Sequence, residues 1–204
     1  IRVHYSLVIF ASLILSYVYL ESGMHAAKYT VCVLSILFIS VFLHELGHSF
    51  AAKKFGMDTR SITLYPFGGI AMINMSNMTP KSEMIISAAG PATNFLIMLL
   101  SIPAMIMSVP FSIEVFFLNT IMCFFNMIPA FPMDGGRVLR AAMSLKLDSY
   151  TATVYCIRIS GIFSALFLFC GIIFSLISLI IVGMVLLFML SSESKRLDAI
   201  MKNH

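Results

Sequence analysis

The sequence predicts an all-α polytopic membrane protein with about six transmembrane helices and a small β-ribbon at the membrane surface after the second. Three observations carry this expectation. The chain is 60% hydrophobic and only 11% charged, with mean hydropathy +0.99, far from the balance of a soluble domain. Its apolar residues gather in six stretches long enough, or nearly so, to cross a bilayer as helices. Its basic residues fall almost wholly on one side of the topology those stretches define.

The first stretch, about Tyr5–Leu20, is short for a span, and a polar break from Glu21 to Lys28 follows it. The second, about Tyr29–Ala52, has Glu45 as its only charged residue. Between Asp58 and Asn77 the pattern changes. Arg60-Ser61-Ile62-Thr63-Leu64-Tyr65 alternates polar and apolar, the period of a strand. Pro66 and Gly68-Gly69 interrupt it, and Ile70-Ala71-Met72-Ile73-Asn74 resumes it. This segment reads as a hairpin on the membrane surface or as an ordered surface loop. The third stretch, about Met84–Val109, carries Gly90-Pro91, expected to kink it, and Asn94, expected to hydrogen-bond across helices. The fourth, about Val115–Met133, runs into Pro129, Pro132, Asp134 and Gly135-Gly136. The fifth and sixth share about Thr151–Leu190, with a boundary near Ser175–Ser178. A single domain thus covers residues 1–204. Its core is 29–145 in spans two to four, its ribbon 58–77, and its peripheral spans 5–20 and 151–190.

Six spans place both termini on one side. That side receives every basic residue except Lys28, twelve of the 13 in the chain, which by the positive-inside rule makes it the cytoplasm of a multi-pass cell-membrane protein. The net charge of +4 therefore reports topology. No basic run with interleaved aromatics suggests nucleic-acid binding. Asn74-Met-Ser76 and Asn77-Met-Thr79 match the glycosylation pattern but fall on the cytoplasmic side, so both are incidental. Cys32, Cys123, Cys156 and Cys170 lie in apolar segments without metal or redox spacing and read as small apolar residues. The 16 methionines read as lipid-facing or core filler, and Gly47 as a site of close helix packing.

Within the second span lies His44-Glu45-Leu46-Gly47-His48, a His-Glu-x-x-His pattern. On a helix the two histidines share one face, one turn apart. They can hold one zinc ion, with Glu45 beside them as general base. With five His and five Glu in the chain, random placement would give roughly 0.003 copies of the pattern, so chance is a weak explanation. His44 lies about 13 Å from the cytoplasmic end of its helix at Lys53. That depth is within the bilayer but nearer the cytoplasm, so water must reach the motif from that side.

A catalytic zinc needs a third protein ligand. His4 and His204 are terminal, and His25 falls on the opposite side of the membrane. Asp134 stands out, because it follows a stretch that two prolines and two glycines should unwind. Unwound backbone at membrane depth is tolerated where it lines a watery cavity or is buried in protein. Asp134 also reads as the cap of a helix starting near Gly135, and both roles are compatible.

These residues resemble the site-2 protease family of intramembrane zinc metalloproteases. The likeness rests on His44-Glu45-Leu46-Gly47-His48, on Gly90-Pro91-Ala92-Thr93-Asn94, and on Asn126-x-x-Pro129 leading to Asp134-Gly135. The compact size is similar to the archaeal members and their bacterial sporulation relatives. The resemblance implies one Zn²⁺ held by His44, His48 and Asp134, with Glu45 as base. It further implies a role for Asn126, and less strongly Asn94, toward substrate or oxyanion, and a ribbon that receives an extended substrate. The implied partners are a transmembrane protein substrate and the lipid bilayer, with no nucleic acid. The implied reaction is hydrolysis of peptide bonds in or near transmembrane segments. The alternatives are a zinc transporter, which should carry more acidic or histidine residues along its spans, and a catalytically silent metal-binding membrane protein, which has no need of Glu45.

Overall fold

The structure, a computed structural model, describes residues 2–65, 68–73 and 78–202. Pro66 and the two glycosylation-like asparagines, Asn74 and Asn77, lie outside the described residues, as does His204. The chain divides into two units. The first contains residues 1–77 and 89–124, and the second residues 78–88 and 125–204.

In the first unit β1 (Arg2–Val3) leads into α1 (Tyr5–Lys54), 50 residues long. His4 caps α1, its ring accepting from the Ser6 N–H at 3.3 Å. Lys53 and Lys54 in the last turn complement the negative end of the helix dipole. Gly23, at φ 79° and ψ −175°, is the one non-helical residue inside α1 and divides it into two helices. The break is thus narrower than the polar stretch Glu21–Lys28 suggests. Glu21, Met24, Ala26, Ala27 and Lys28 are good helix formers, and only the glycine takes up the left-handed backbone easily.

After Gly56, also left-handed at φ 72°, the chain enters β2 (Thr59–Tyr65) and β3 (Gly68–Ile73). These pair antiparallel from Thr59↔Ile73 to Tyr65↔Gly68, with an irregularity between Thr59 and Ser61. β1 joins β2 in parallel, giving the order β1-β2-β3. Both longer strands pack on α1, and Ile62 is the buried contact of β2.

α2 (Pro80–Ile106) is one helix through Pro91 and Pro103, and α3 (Ser112–Asn126) follows. The Tyr29 hydroxyl donates to Glu114 at 2.7 Å and its ring stacks on Phe111, tying the middle of α1 to the start of α3. α3 stops at Asn126, short of the Met133 expected for the fourth span. Pro129 and Pro132 have no N–H to continue the ladder, so the segment up to Met133 leaves the helix.

In the second unit Thr79 and Ser82 cap the start of α2 reciprocally, Thr79 N–H to Ser82 Oγ at 2.9 Å and Ser82 N–H to Thr79 Oγ1 at 3.2 Å, with Pro80 in the first turn where its missing N–H costs nothing. α4 (Asp134–Met143), α5 (Ser149–Ile173) and α6 (Ile177–Lys202) complete the unit. Asp148 caps α5. Its carboxylate accepts the Thr151 N–H at 2.8 Å, which holds the carboxyl below the usual aspartate range. α5 and α6 pack closely because small residues face each other. Ser164 Oγ donates to the Gly183 carbonyl at 2.7 Å. A Cβ on Gly183 would stand 2.7 Å from Leu168 Cγ. Ala130, Met133 and Leu186 form the buried cluster of this unit.

Arg140 on α4 pairs with Glu83 on the first turn of α2 and lies 6.0 Å from the Phe131 ring centroid. Both partners are mostly covered, at 27% and 13% exposure. Glu83→Ala should therefore lower stability by about 2–3 kcal/mol, between the costs of breaking exposed and buried pairs. The measurement is the unfolding midpoint in detergent, and a midpoint equal to wild type would show that solvent already screens the pair.

Among the described residues, four helices are long and apolar enough to cross a membrane: α1, α2, α5 and the Ile177–Lys195 part of α6. α3 is apolar but shorter, at 15 residues.

Candidate metalloprotease site

The site is built on the second half of α1. Helical spacing brings His44 and His48 together, with Nε2 atoms 3.1 Å apart and ring planes at 84°. Two nitrogens bound to one tetrahedral zinc at about 2.05 Å would stand roughly 3.3 Å apart, so the pair fits a shared ion. Both rings are buried, and so is Glu45 between them in sequence.

Two glycines make room for this group. α2 passes the histidines at Gly90, where a Cβ would stand 2.3 Å from His48 Nε2 and 2.6 Å from His44 Nε2. Gly69 on β3 does the same at Glu45, where a Cβ would stand 2.4 Å from Glu45 Cγ. A strand backbone therefore runs directly against the candidate base. Gly47, on the same helix, approaches Ala89 and Thr93 so closely that a Cβ would meet Thr93 Oγ1 at 2.3 Å, the close packing expected of it.

Asn94 sits behind His44. Its Oδ1 pairs with His44 Nδ1, and its Nδ2 donates to Asn119 Oδ1 at 2.8 Å. An amide oxygen only accepts, so the imidazole proton lies on Nδ1 and the Nε2 lone pair is left for a metal. This is the cross-helix hydrogen bonding expected of Asn94. Both ends of the amide face other side chains, His44 and Asn119.

Asp134 and Asn126 belong to the second unit. Asn126 ends α3. Asp134 is the first residue of α4, and the N-cap is Met133, which makes no side-chain cap bond. The helix thus begins one residue earlier than a cap at Asp134 requires. The irregular segment before it is tightly folded. A Cβ on Gly135 would meet the Met127 and Ile128 carbonyl oxygens at 2.4 Å, and one on Gly136 the Ala130 carbonyl carbon at 2.6 Å. Phe131 N–H donates to Ser160 Oγ on α5 at 2.8 Å. The two glycines therefore permit a close backbone approach as well as a helix break, and that approach fixes where Asp134 starts its helix.

The sequence did not single out Asn119 or Ser40, and it marked Gly69 only as an interruption of the strand pattern and Gly90 only as part of a kink. A glycine that admits a neighbouring ring carries no signal until the neighbour is known. An asparagine in an apolar helix does carry one, because uncompensated amides in lipid are costly.

Residues 32–116 match Peptidase family M50. The solved Site-2 Protease from Methanocaldococcus jannaschii superposes with TM-score 0.71 at 32% identity, over 94% of this chain and 89% of that one. The chain belongs to this site-2 protease family. The zinc metalloprotease MJ0392 of the same organism is 35% identical over all of this chain and 60% of its own length. The stage IV sporulation protein FB of Bacillus subtilis is 31% identical over 59% of this chain and 42% of its own length. The chain thus spans less than two thirds of either curated relative. Family membership and the apolar helices together make it a multi-pass membrane protein.

Proposed function

We propose that the chain is an intramembrane zinc endopeptidase that hydrolyses peptide bonds in or near the transmembrane segments of membrane-protein substrates. The observation that carries this is the pair of buried imidazole nitrogens 3.1 Å apart, beside a buried glutamate that a strand backbone adjoins. His44 and His48 offer two ligands for one metal ion, and we assign Asp134 as the third.

Zinc bound there would supply a Lewis acid and lower the pKa of its water towards about 7. Glu45 takes the proton from the attacking water and later passes it to the leaving amine. Asn126 donates to the oxyanion of the tetrahedral intermediate. β3 is an edge of the sheet, so an unwound substrate segment can pair with it, which satisfies the backbone groups that unwinding exposes. The backbone at Gly69 then delivers that segment to Glu45. In this reading six segments cross the membrane, α1 supplying two of them on either side of Gly23. Both termini face the cytoplasm, the strands lie at that surface, and residues 1–204 act as one catalytic domain.

The test uses purified protein with a helical membrane substrate. Cleavage should stop on chelation and return with added zinc. Asp134→Ala should lose its metal by elemental analysis. An Asp134→Ala protein that retains zinc would move the third ligand elsewhere, and zinc flux through vesicles without cleavage would favour a transporter.

A further inference from the structure

Behind the histidines lies a chain of buried amides that the chemistry above does not use. Asn94 and Asn119 are both fully buried at 0% exposure, and Ser40 is nearly so at 3%. Asn119 Nδ2 donates to the Val115 carbonyl at 2.8 Å and to Ser40 Oγ at 3.0 Å. Its Oδ1 accepts from Asn94 Nδ2 at 2.8 Å, and Asn94 Oδ1 pairs with His44 Nδ1. The chain crosses from α3 to α2 to α1 without reaching solvent.

Its direction is fixed at one end. A backbone carbonyl can only accept, so the amide group of Asn119 facing Val115 is the NH₂. The oxygen of Asn119 must then face Asn94. The group of Asn94 facing that oxygen must be its NH₂, and the oxygen of Asn94 must face His44. Reversing any member would put two acceptors or two donors together in a site without water, which is strongly disfavoured.

Resting on the zinc reading above, we propose that Asn119 is a positioning residue for the metal site. Anchored by the Val115 carbonyl and Ser40, it sets the direction of Asn94 and so holds the His44 proton on Nδ1, with the Nε2 lone pair directed at the metal. Asn119 touches neither metal nor substrate. Without it Asn94 can turn over and present its NH₂ to Nδ1. That nitrogen must then accept, and the proton moves to Nε2, where it blocks metal binding.

Asn119→Leu keeps the branched shape of the side chain and removes the anchor. Outer partners of metal-bound histidines typically contribute 10–100-fold to affinity, and a loss of that size is expected here by competition with a zinc chelator. In zinc-free protein labelled with ¹⁵N-histidine, the His44 proton should sit on Nδ1 in wild type and shift towards Nε2 in the variant. Ser101→Ala is the control: this buried hydroxyl on α2 bonds only the Met98 carbonyl, and its loss should move neither readout. If Asn119→Leu does not fold, Asn119→Thr takes its place. The threonine hydroxyl can bond the Val115 carbonyl as Thr120 bonds that of Phe116, yet falls short of Asn94, so the same two changes are expected. Zinc affinity equal to wild type, or a His44 proton still on Nδ1, overturns the proposal. A wild-type protein that binds no zinc would instead overturn the metal reading, while the tautomer measured without metal still decides the role of Asn119.

Discussion

Glu45→Gln is expected to lower the cleavage rate by about 10²–10⁴-fold, the usual contribution of a positioned general base, with zinc content and fold unchanged. The amide has the size of the carboxylate, so the tight approach of Gly69 to Glu45 Cγ is undisturbed. What it lacks is the capacity to take a proton from water. The hydrogen bond from Ser49 Oγ goes to the Glu45 backbone carbonyl at 3.0 Å and survives the change. Turnover of a helical membrane substrate and metal content should be measured on the same preparation. Full activity in the variant would mean that another group is the base. Loss of zinc together with activity would mean that Glu45 supports the metal instead.

The parts of this protein that were legible in its sequence are those whose chemistry is local. His44, Glu45 and His48 are read together because helical spacing alone puts the histidines on one face. The end of the fourth apolar stretch was legible in kind, since Pro129 and Pro132 cannot continue a helix. The point where it stops, Asn126, is set by where the last satisfied carbonyl falls. The polar stretch Glu21–Lys28 marks the break between the first two spans but not its extent, because its residues favour helix and only Gly23 departs from it.

The rest depends on neighbours distant in sequence. Gly69 is separated from Glu45 by a whole helix end and a strand, and Asn119 acts on His44 through a third residue on another helix. No periodicity encodes either relation. Gly47 and Gly90 look alike as sequence, each a glycine in an apolar helix. One admits the backbone of a neighbouring helix, and the other admits the two histidine rings.

That difference makes Gly90→Ala the sharpest test of the site's geometry. The new methyl would stand 2.3 Å from His48 Nε2, 2.5 Å from His48 Cε1 and 2.6 Å from His44 Nε2, all far inside contact distance. The obstacles are two rigid rings one turn apart on α1, the first also held by Asn94, and α2 is a continuous helix at this point. The strain is therefore relieved by turning the rings or by moving the helices apart, and either separates the two nitrogens that would share the ion. Zinc affinity should fall by about 100-fold or more, at or beyond the upper range for outer-shell changes, and cleavage should fall with it. Intrinsic helix preference acts in the opposite direction, because alanine is favoured over glycine by about 1 kcal/mol in a helix. Gly161→Ala on α5, where a Cβ meets nothing within 4 Å, isolates that preference and should leave zinc binding unchanged. A Gly90→Ala protein that keeps its helicity but not its metal places the histidines where the structure has them. One that binds zinc and cleaves as wild type would mean that α2 does not pass the rings at this distance.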